Sequence, residues 1–459
     1  MTTIACVDGF LGDCAKGKFT DLLSSKSNDG GAVVRYVGGA NAGRRINHSG
    51  KEFKLHLFPS GAFCDNMTNV IGPMVAFDPV QFFIEYDNLL SLGYNPKIMI
   101  SDRVKILFPF HRYINKVEEE HLGKKSFGST QRGITPFMND VFGKQALTIQ
   151  DIYETKEIVK EKLKRCIDMK NCLLNNYYNR EEINIDGSID QVLDLRDRLK
   201  PFIGDVRKFL LNLKDKNKTI LFEGQLGAIR DITVLYPHIS SAPSFFAGYA
   251  PISCGLPGTY LEEVLCLFKA YVSYVGSGDF VTRMEKDFED KFREIANEYG
   301  TTSGRGRLLG HYDCVMARYG AEVHGATQIG LTCLDLLSDW DEIPVCIAYE
   351  DTRTGNRVDD FPLTNDLKYM KPIYKIMPGW KQDISNCKSF SELPEKCRNY
   401  VSFIEDQLCY HIRYISVGKE RDAIIDRIGE DYLTEEEINN ILYKTKDFIV
   451  NDNKFSLTH

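Results

Sequence analysis

The chain has 459 residues, of which 43% are hydrophobic and 26% are charged, so it can bury a large core as one large α/β domain or several smaller ones. Its formal net charge of -7 argues against a general nucleic-acid-binding protein, although a local basic site for an anionic substrate is compatible with it. The N-terminal segment lacks the basic start and long apolar core of a signal peptide, and no run of about 18 apolar residues could span a bilayer.

The cysteines and histidines give no sign of a zinc or redox site. The 13 cysteines are scattered without a C-x-x-C pair, and the 9 histidines have no H-x-x-x-H spacing. We therefore expect reduced, mostly buried thiols in a cytoplasmic protein that binds neither a membrane nor nucleic acid.

Short apolar or β-branched runs bounded by turn residues predict strands at 3–7, 32–36, 54–58, 97–100, 219–222, 330–334, 344–349 and 412–418. A helix is predicted to begin at Pro79, with Asp78 as its N-cap and Gly93 after its end. This alternation indicates an α/β fold with a large, mostly parallel central sheet covered by helices. We expect a single domain over 1–459, with a helical excursion at about 154–208 and a flexible tail at 451–459.

The first motif, "GDCAKGK", has the G-x-x-x-x-G-K spacing of a phosphate-binding loop. It follows a predicted strand and precedes a predicted helix, so inward N–H groups and the positive helix end favour phosphate binding over an ordinary turn. Phe19 replaces the Ser or Thr that normally holds magnesium. Asp13 lies inside the loop, where it could cap the helix, but a carboxylate there is unfavourable unless it meets a cation or a proton.

Two further clusters combine glycine with arginine. "RYVGGANAGRRINHSG" carries Asn41, Gly43 and Arg44 directly after a predicted strand, which favours a substrate or phosphate loop at least as much as a simple turn. "FGSTQRGITP" supplies Thr130 and Arg132, whose hydroxyl and guanidinium groups are usual ligands of a monophosphate. A surface loop would have the same composition as this second cluster.

Two clusters lie in the C-terminal half of the chain. "YGTTSGRGRLLG" places Arg305 and Arg307 two residues apart, so in an extended loop both guanidinium groups project to one side and converge on a dianionic ligand. The alternative is a solvated basic turn. "GLTCLDLL" is interpreted as a strand ending in Asp335, whose carboxylate accepts two hydrogen bonds from guanine or, more commonly, caps a helix.

In this order and spacing, the clusters resemble the adenylosuccinate synthetase family, whose members join aspartate to IMP at the expense of GTP. The resemblance covers nearly the whole chain, through "GDCAKGKFTDLL", "VVRYVGGANAG", "KLHLFPSG", "FEGQLG", "YPHISS", "NEYGTTSGRGR", "LTCLD", "PIYKIMPGW" and "ISVGKER". It implies a P-loop-like α/β fold with one large central sheet, a homodimer, and Mg2+ as the cofactor.

The resemblance also implies roles for the matching residues. The catalytic residues are Asp13, Lys16, Arg44 and Arg307, with Asp13 as the base on N1 of the purine. The GTP site is Gly12, Lys16, Gly17, Lys18, Gly43, Asp335, Ser416 and Gly418, and the IMP site is Asp13, Asn41, Thr130, Lys144, Gln225 and Ser240. The aspartate site is Thr301, Thr302, Ser303, Arg305 and Arg307, and the metal ligands are Asp13 and the Gly43 carbonyl.

One departure from the family concerns the catalytic histidine, which is Arg44 in this chain. A guanidinium stays protonated at ordinary pH, so Arg44 is expected to act as an electrostatic clamp on the phosphoryl group rather than as an acid. His48 or His56 could supply a proton if the reaction needs one.

Other departures lie around the nucleotides. The family's E-G-A-Q-G is "EGQLG", so Gln225 is displaced by one and Leu226 takes the glutamine position. Cys333 replaces the lysine of the T-K-x-D guanine motif, and Lys419 replaces a proline. Lys144 stands for the arginine that the partner subunit lends to the IMP phosphate, which keeps the charge but not the bidentate geometry.

We therefore expect a C–N ligase that joins L-aspartate to C6 of IMP through a 6-phosphoryl intermediate, giving adenylosuccinate, GDP and phosphate. The phage enzymes that ligate aspartate to dGMP generally lack the base aspartate, so Asp13 favours IMP. Ligation to (d)GMP or another 6-oxopurine nucleotide, with GTP or ATP, stays open.

Two alternatives belong to other classes. A non-catalytic nucleotide-binding regulatory protein would explain the missing histidine, but the retained charges of Asp13, Lys18 and the two arginines Arg305 and Arg307 favour catalysis. An ordinary P-loop NTPase would need the missing hydroxyl and a Walker-B partner, and neither is apparent.

Overall fold

The computed structural model describes residues 3–27, 30–123, 126, 128–234, 244–256, 261–276, 280–300 and 304–428. The predicted tail at 451–459 lies outside these ranges, as do four predicted site residues, namely Ser240, Thr301, Thr302 and Ser303.

The strands in chain order are β1 Thr3–Asp8, β2 Gly31–Gly38, β3 Arg44–His48, β4 Lys51–Leu55, β5 Met67–Phe77, β6 Lys97–Ser101, β7 Lys105–Ile106, β8 Ile203–Gly204, β9 Thr219–Glu223, β10 Glu263–Lys269, β11 Val272–Tyr274, β12 Leu308–Gly310, β13 Tyr312–Asp313, β14 Gln328–Thr332, β15 Glu342–Asp351, β16 Asn356–Val358, β17 Met370–Pro378, β18 Ile412–Ser416 and β19 Ile424–Asp426.

The α-helices are α1 Lys16–Lys26, α2 Pro79–Ser91, α3 Pro109–Leu122, α4 Ile134–Phe142, α5 Lys156–Leu173, α6 Ile185–Leu193, α7 Arg196–Leu199, α8 Val206–Asp215, α9 Tyr249–Ser253, α10 Lys286–Ala296, α11 Cys314–His324, α12 Thr364–Leu367 and α13 Glu395–Leu408. Helix α2 begins as predicted, because the Asp78 side chain accepts the Gln81 N–H and Pro79 occupies the first helical position.

Within the described ranges, one sheet of eleven strands runs in the order β19-β18-β14-β10-β1-β9-β2-β5-β6-β8, with β7 beside β5. Neighbouring strands are parallel except β18 and β19, which are antiparallel. The predicted α/β fold with a large, mostly parallel central sheet is therefore confirmed.

The apolar character of the central strands follows from this arrangement. In an α/β fold both faces of a parallel sheet are covered, so its strands are hydrophobic throughout rather than alternating. Every residue of β1 and of β2 is buried. All 13 cysteines are free thiols and most are buried, as predicted.

Residues 154–208, the predicted helical excursion, contain α5, α6, α7 and the short β8. Apolar residues of α5 and α6, including Val159, Leu163 and Ile189, join a hydrophobic cluster with Phe82 and Phe110 that is separate from the main core. The assignment of the whole chain to one domain stays a prediction. No helix within the described ranges is long and apolar enough to cross a membrane.

The strand predicted at 54–58 is wrong in its second half. Strand β4 ends at Leu55, and the backbone N–H groups of His56, Leu57 and Phe58 bind the buried carboxylate of Glu85 at 3.0–3.1 Å. These N–H groups therefore do not take part in a β-ladder. A carboxylate that accepts several backbone hydrogen bonds can hold an irregular loop in place.

The strand predicted to end at Asp335 stops earlier. Strand β14 ends at Thr332, Cys333 adopts a left-handed conformation with φ 57°, and Asp335 lies in a short 3-10 helix over Leu334–Leu337. The left-handed residue breaks the extended backbone, so Asp335 projects from a turn rather than from a strand.

Candidate active site at the carboxyl edge of the main sheet

The predicted site residues follow the carboxyl ends of neighbouring parallel strands. The phosphate loop follows β1, Asn41 follows β2, Gln225 follows β9, Asp335 follows β14 and Gly418 follows β18. Because these strands are parallel, their carboxyl ends meet at one edge of the sheet, which is where α/β proteins bind ligands.

The phosphate loop is organised by Asp8, the last residue of β1. The buried Asp8 carboxylate accepts hydrogen bonds from the backbone N–H groups of Phe10 at 3.1 Å and Cys14 at 2.8 Å. Three residues of the loop have positive φ, namely Gly12 at 117°, Asp13 at 64° and Ala15 at 66°. Left-handed backbone at two non-glycine residues is costly and is retained only where the surrounding structure enforces it.

Lys16 lies under this loop. Its Nζ is 2.9 Å from Asp8 Oδ2 and 2.9 Å from the carbonyl oxygen of Leu226. Burial alone would lower the pKa of Lys16, but the charge of Asp8 outweighs it and the pKa is raised. Lys16 is therefore a firmly protonated cation at the base of the loop, and its contact with phosphate stays a prediction.

Lys18 points to the predicted guanine-binding loop. Its Nζ donates to Ser416 Oγ at 2.9 Å, to the Gly418 carbonyl at 2.7 Å and to the Ala423 carbonyl at 3.0 Å. Burial lowers the pKa of Lys18 to about 8, against the opposing charges of Cys333 and Asp335. Lys18 thus connects the first turn of α1 to the loop after β18 by hydrogen bonds. Burial also raises the pKa of the nearby Asp335 carboxyl.

Asp13 is paired with Arg307, which the sequence assigned to the aspartate site. Arg307 Nε lies 3.2 Å from Asp13 Oδ2, and the Asp13 side chain is 33% exposed. Burial would raise the pKa of Asp13, but the positive charges of Arg307, Lys269 and Lys16 outweigh it, so this pKa lies below its usual value. The predicted base is therefore an ionised carboxylate.

Arg307 is also held from its other side by Glu298, whose carboxylate accepts from Arg307 Nη1. The same carboxylate accepts from Lys269 Nζ at 2.6 Å and from the Tyr271 hydroxyl. Burial would raise the pKa of Glu298, but Lys269 and Arg307 lower it to about 2. The result is a continuous ionic network from Lys269 to Asp13.

Arg44 forms a buried ion pair. Its Nε is 2.9 Å from Glu223 Oε1, and its Nη1 donates to the His56 carbonyl at 2.9 Å. Its Nη2 is buried and has no hydrogen-bond partner. Gly17 packs against Arg44, since a Cβ added at Gly17 would lie 3.1 Å from Arg44 Cβ. Arg44 thus touches the phosphate loop, while its role as a phosphoryl clamp stays a prediction.

Gln225 lies beneath the predicted IMP loop. Its Oε1 accepts from Arg35 at 2.8 Å and from the Gly39 N–H at 2.9 Å, and its Nε2 donates to Asn41 Oδ1 at 2.6 Å. Gly38 has φ 82°, and a Cβ there would collide with Gln225 Oε1. The displaced glutamine therefore supports the loop that carries Asn41, and a side chain at position 38 would disrupt that support.

Two predicted site residues meet at the 128–133 loop, Thr130 within it and Arg305 against it. Arg305 is exposed and donates to the Gly128 carbonyl, so it reaches a different partner from Arg307. Thr130 is partly buried in the same loop. Lys144 follows α4 and is exposed, with φ 58°.

The donor atoms at this edge suit Mg2+ only together with a nucleotide. Among the described side chains, no group of three or more His, Cys, Asp or Glu residues could hold a metal ion. Asp13 offers a carboxylate and Gly43 a carbonyl in a partly buried loop. Mg2+ is commonly bound by one or two protein oxygens plus phosphates and water, so these hard oxygen donors fit it.

The sequence did not reveal the buried acids and their partners. Asp8, Glu223 and Glu298 each neutralise a predicted site cation. Glu223 and Glu298 lie within the stretches "EGQLG" and "NEYGTTSGRGR", but the sequence assigned no role to any of the three acids. The available signal was an acidic residue at the end of an apolar strand, as in "TIACVD" and "TILFE". A carboxylate there is costly unless it is paired, which indicates a nearby cation.

The family model described as Adenylosuccinate synthetase matches residues 6–425 of the chain. The adenylosuccinate synthetase of Streptomyces coelicolor is 38% identical over 429 residues, which cover 93% of this chain and 99% of that protein. The adenylosuccinate synthetase of Bifidobacterium longum is 37% identical over 429 residues, covering 93% and 98%.

Solved structures give the same result. Fully ligated adenylosuccinate synthetase from Plasmodium falciparum has a TM-score of 0.86 and 30% identity, covering 93% of this chain and 100% of that chain. The cyanophage S-2L succinoaminodeoxyadenylate synthetase, bound to dGMP and to dATP as an energy donor, has a TM-score of 0.55 and 14% identity, covering 96% and 99%, and shares the fold. The chain belongs to the adenylosuccinate synthetase family.

Proposed function

We propose that this C–N ligase joins L-aspartate to C6 of IMP with GTP hydrolysis, giving adenylosuccinate, GDP and phosphate. The observation that carries the assignment of residues is the Asp13–Arg307 pair at the phosphate loop, with Arg307 Nε 3.2 Å from the Asp13 carboxylate. In this pair the predicted base, Asp13, and a cation that can bind a carboxylate, Arg307, lie together at the phosphate-binding loop.

The chemistry explains why these groups are needed together. The oxygen at C6 of a 6-oxopurine is a poor leaving group, so it must first receive the γ-phosphoryl group, after which the amine of aspartate displaces phosphate. Asp13 would accept the proton from N1 of the ring as the oxygen attacks the phosphoryl group. Its lowered pKa keeps it ionised at neutral pH.

The positively charged groups would bind the substrates and stabilise charge on the transferred phosphoryl group. Arg305 and Arg307 would bind the carboxylates of aspartate, and Lys16 would lie under the transferred phosphoryl group. Asp13 and the Gly43 carbonyl would hold Mg2+, which neutralises charge on the donor phosphates when bound. Arg44 would supply a fixed positive charge near Gly17 of the phosphate loop.

We also propose that the enzyme is a cytoplasmic homodimer. Lys144 is exposed at the end of α4, which leaves its ammonium group available to the IMP phosphate of a second copy. Its predicted role therefore requires the dimer. Light scattering at micromolar concentration would give the mass of two chains, and a monomer with full turnover would contradict this part of the proposal.

A phosphate-release assay tests the function by crossing GTP and ATP with IMP, GMP and dGMP, with and without L-aspartate. Phosphate release that requires IMP, aspartate and GTP together is the expected result. Release with (d)GMP in place of IMP would change the purine substrate, and faster release with ATP would change the donor. Nucleotide binding without turnover in any combination would support a regulatory protein instead.

A further inference from the structure

Lys269 and Glu298 form a buried ion pair behind Arg307, with Lys269 Nζ 2.6 Å from Glu298 Oε1. Lys269 is the last residue of β10, which lies beside β1 in the main sheet. Glu298 follows α10 and also binds the Arg307 backbone, because its carbonyl accepts the Arg307 N–H at 2.9 Å. Side chain and main chain of Glu298 therefore both fix Arg307.

The charges in this cluster are almost completely buried. Lys269 is 4% exposed, Glu298 3% and Arg307 8%. A buried cation is expensive unless a carboxylate neutralises it, and removal of one partner leaves the other uncompensated. Glu298 is placed between the two cations, so it allows both to approach each other without strong repulsion.

The guanidinium of Arg307 is oriented by this arrangement. Nη1 is bound by Glu298, whereas Nε is buried, lies 3.2 Å from Asp13 Oδ2 and makes no hydrogen bond. An arginine N–H that is buried without a hydrogen-bond partner is unfavourable until an acceptor arrives. Nε is therefore ion-paired with Asp13 without a hydrogen bond, while Glu298 holds the opposite side of the guanidinium.

We propose that Glu298 and Lys269 are positioning residues for the amino-acid site, which rests on the function proposed above. Glu298 fixes the plane of the Arg307 guanidinium so that the N–H groups not used by Glu298 and Asp13 are presented to a carboxylate of the amino-acid substrate. Lys269 holds Glu298 in place through the 2.6 Å contact and through Ser273 Oγ, which accepts from the same Nζ at 2.9 Å.

The first test is Glu298→Gln, measured by steady-state kinetics. A glutamine keeps one acceptor oxygen but not the charge, so Lys269 and Arg307 would compete for it. The KM for L-aspartate is expected to rise about tenfold or more, the loss typical of a hydrogen bond to a charged group. The KM values for the two nucleotides are expected to stay within about twofold.

A second variant tests the positioning role by rescue. In Lys269→Met combined with Glu298→Gln, the competing cation is gone, and the glutamine oxygen can serve Arg307 with the neutral Tyr271 hydroxyl as a second donor. The KM for aspartate is expected to recover most of the loss. A merely structural role predicts the opposite, since the double variant removes more native contacts than the single one.

Glu405→Gln is the matched control. Glu405 is a carboxylate on α13 whose Oε1 is 2.7 Å from Arg427 Nη1 and accepts the Ile412 N–H at the start of β18, and it makes no contact with a predicted aspartate-site residue in the described part of the chain. It should lower thermal stability without changing the KM for aspartate. Equal rises of all three KM values in Glu298→Gln, or no recovery in the double variant, would overturn the proposal.

Equilibrium dialysis separates this inference from the proposed reaction. Radiolabelled L-aspartate is titrated into the wild type and Glu298→Gln in the presence of IMP and GDP. Wild type that binds aspartate but does not turn over would contradict the proposed reaction, and weaker binding to the variant would still support the positioning role. Equal binding to both proteins would overturn the positioning role, as would no binding to the wild type.

Discussion

Arg44 is paired with Glu223, with Arg44 Nε 2.9 Å from Glu223 Oε1 and both side chains buried. The pair joins the first residue of β3 to the last residue of β9. Glu223 also accepts the Ser60 N–H at 3.1 Å, so it connects three segments around the phosphate loop. A histidine would not carry a permanent charge here, whereas arginine does.

We predict that Arg44→Ala lowers the free energy of unfolding by about 3–5 kcal/mol, because Glu223 is left as an uncompensated buried charge. A urea titration followed by circular dichroism measures this change. The same variant is expected to lose phosphate release with IMP, aspartate and GTP. Loss of stability alone could explain that loss of activity.

The double variant Arg44→Ala with Glu223→Gln separates the two effects. It removes both charges, so stability should return most of the way to wild type. If Arg44 acts as a clamp on the phosphoryl group, turnover stays low in this stable protein. Recovery of full turnover would show that Arg44 has only a structural role.

The fold was predictable because it depends on apolar runs and their order. "TIACV" and "AVVRY" are buried strands, and strands that alternate with helices indicate a parallel sheet. The failures occurred where side chains hold the backbone in irregular conformations. The His56–Phe58 turn depends on Glu85, which is 27 to 29 residues away in sequence, and no local pattern reveals that pairing.

The candidate site was predictable where a motif carries the chemistry, as in the loop around Asp13. The hydrogen-bond partners of Lys16 and Lys18 were not predictable from the sequence. Lys16 binds the Leu226 carbonyl as well as Asp8, and Lys18 binds the loop after β18, because each buried ammonium requires several oxygen acceptors and distant segments supply some of them. Glu298 was missed for the same reason, since its partner Lys269 is 29 residues earlier in the chain.

Asp13→Asn tests the base. The amide has nearly the same shape but cannot accept the N1 proton, so turnover should fall by about 10²–10⁴-fold. Binding of GTP, measured by isothermal titration calorimetry, should be retained within a few fold. Turnover within tenfold of wild type would show that another group acts as the base.

Gln225→Ala tests the support of the IMP loop. The variant removes an acceptor of the buried Arg35 guanidinium, whose pKa burial already lowers, and a donor to Asn41. Stability should fall by about 2–3 kcal/mol, and the KM for IMP should rise more than the KM for GTP. Gln150→Ala, at an exposed glutamine, is the control and should change neither quantity.

Lys18 predicts the pH dependence of donor binding. The ammonium form can donate to all three oxygens around it, whereas the neutral amine can donate to only two. With a pKa of about 8, kcat/KM for GTP should fall as pH rises through 8. Lys18→Arg should remove this inflection and Lys26→Arg should keep it, while a flat wild-type profile from pH 7 to about 9.5 would contradict the prediction.

Lys18 changes the free energy of unfolding in the direction opposite to its effect on GTP binding as pH rises. Its pKa is about 8 in the folded protein and 10.5 in the ordinary state, so between these values the unfolded chain binds a proton that the folded protein has released. The contribution of Lys18 to the free energy of unfolding therefore rises with pH in this window and is constant below it. Urea titrations of wild type and Lys18→Met at pH 7.5 and pH 9.5 measure the difference.

Asp335→Asn tests the choice of donor nucleotide. A carboxylate at this turn can accept hydrogen bonds from both N1–H and the 2-amino group of guanine, whereas adenine offers neither donor in that arrangement. An asparagine accepts with one oxygen and presents an N–H to the other donor, so kcat/KM with GTP should fall about 100-fold while that with ATP changes little. Cys333→Ala, two residues earlier, should leave the GTP to ATP ratio within about twofold, because Cys333 has no strong hydrogen-bonding group. An unchanged ratio in Asp335→Asn would show that this carboxylate does not read the base and that the preference for GTP, if present, arises elsewhere.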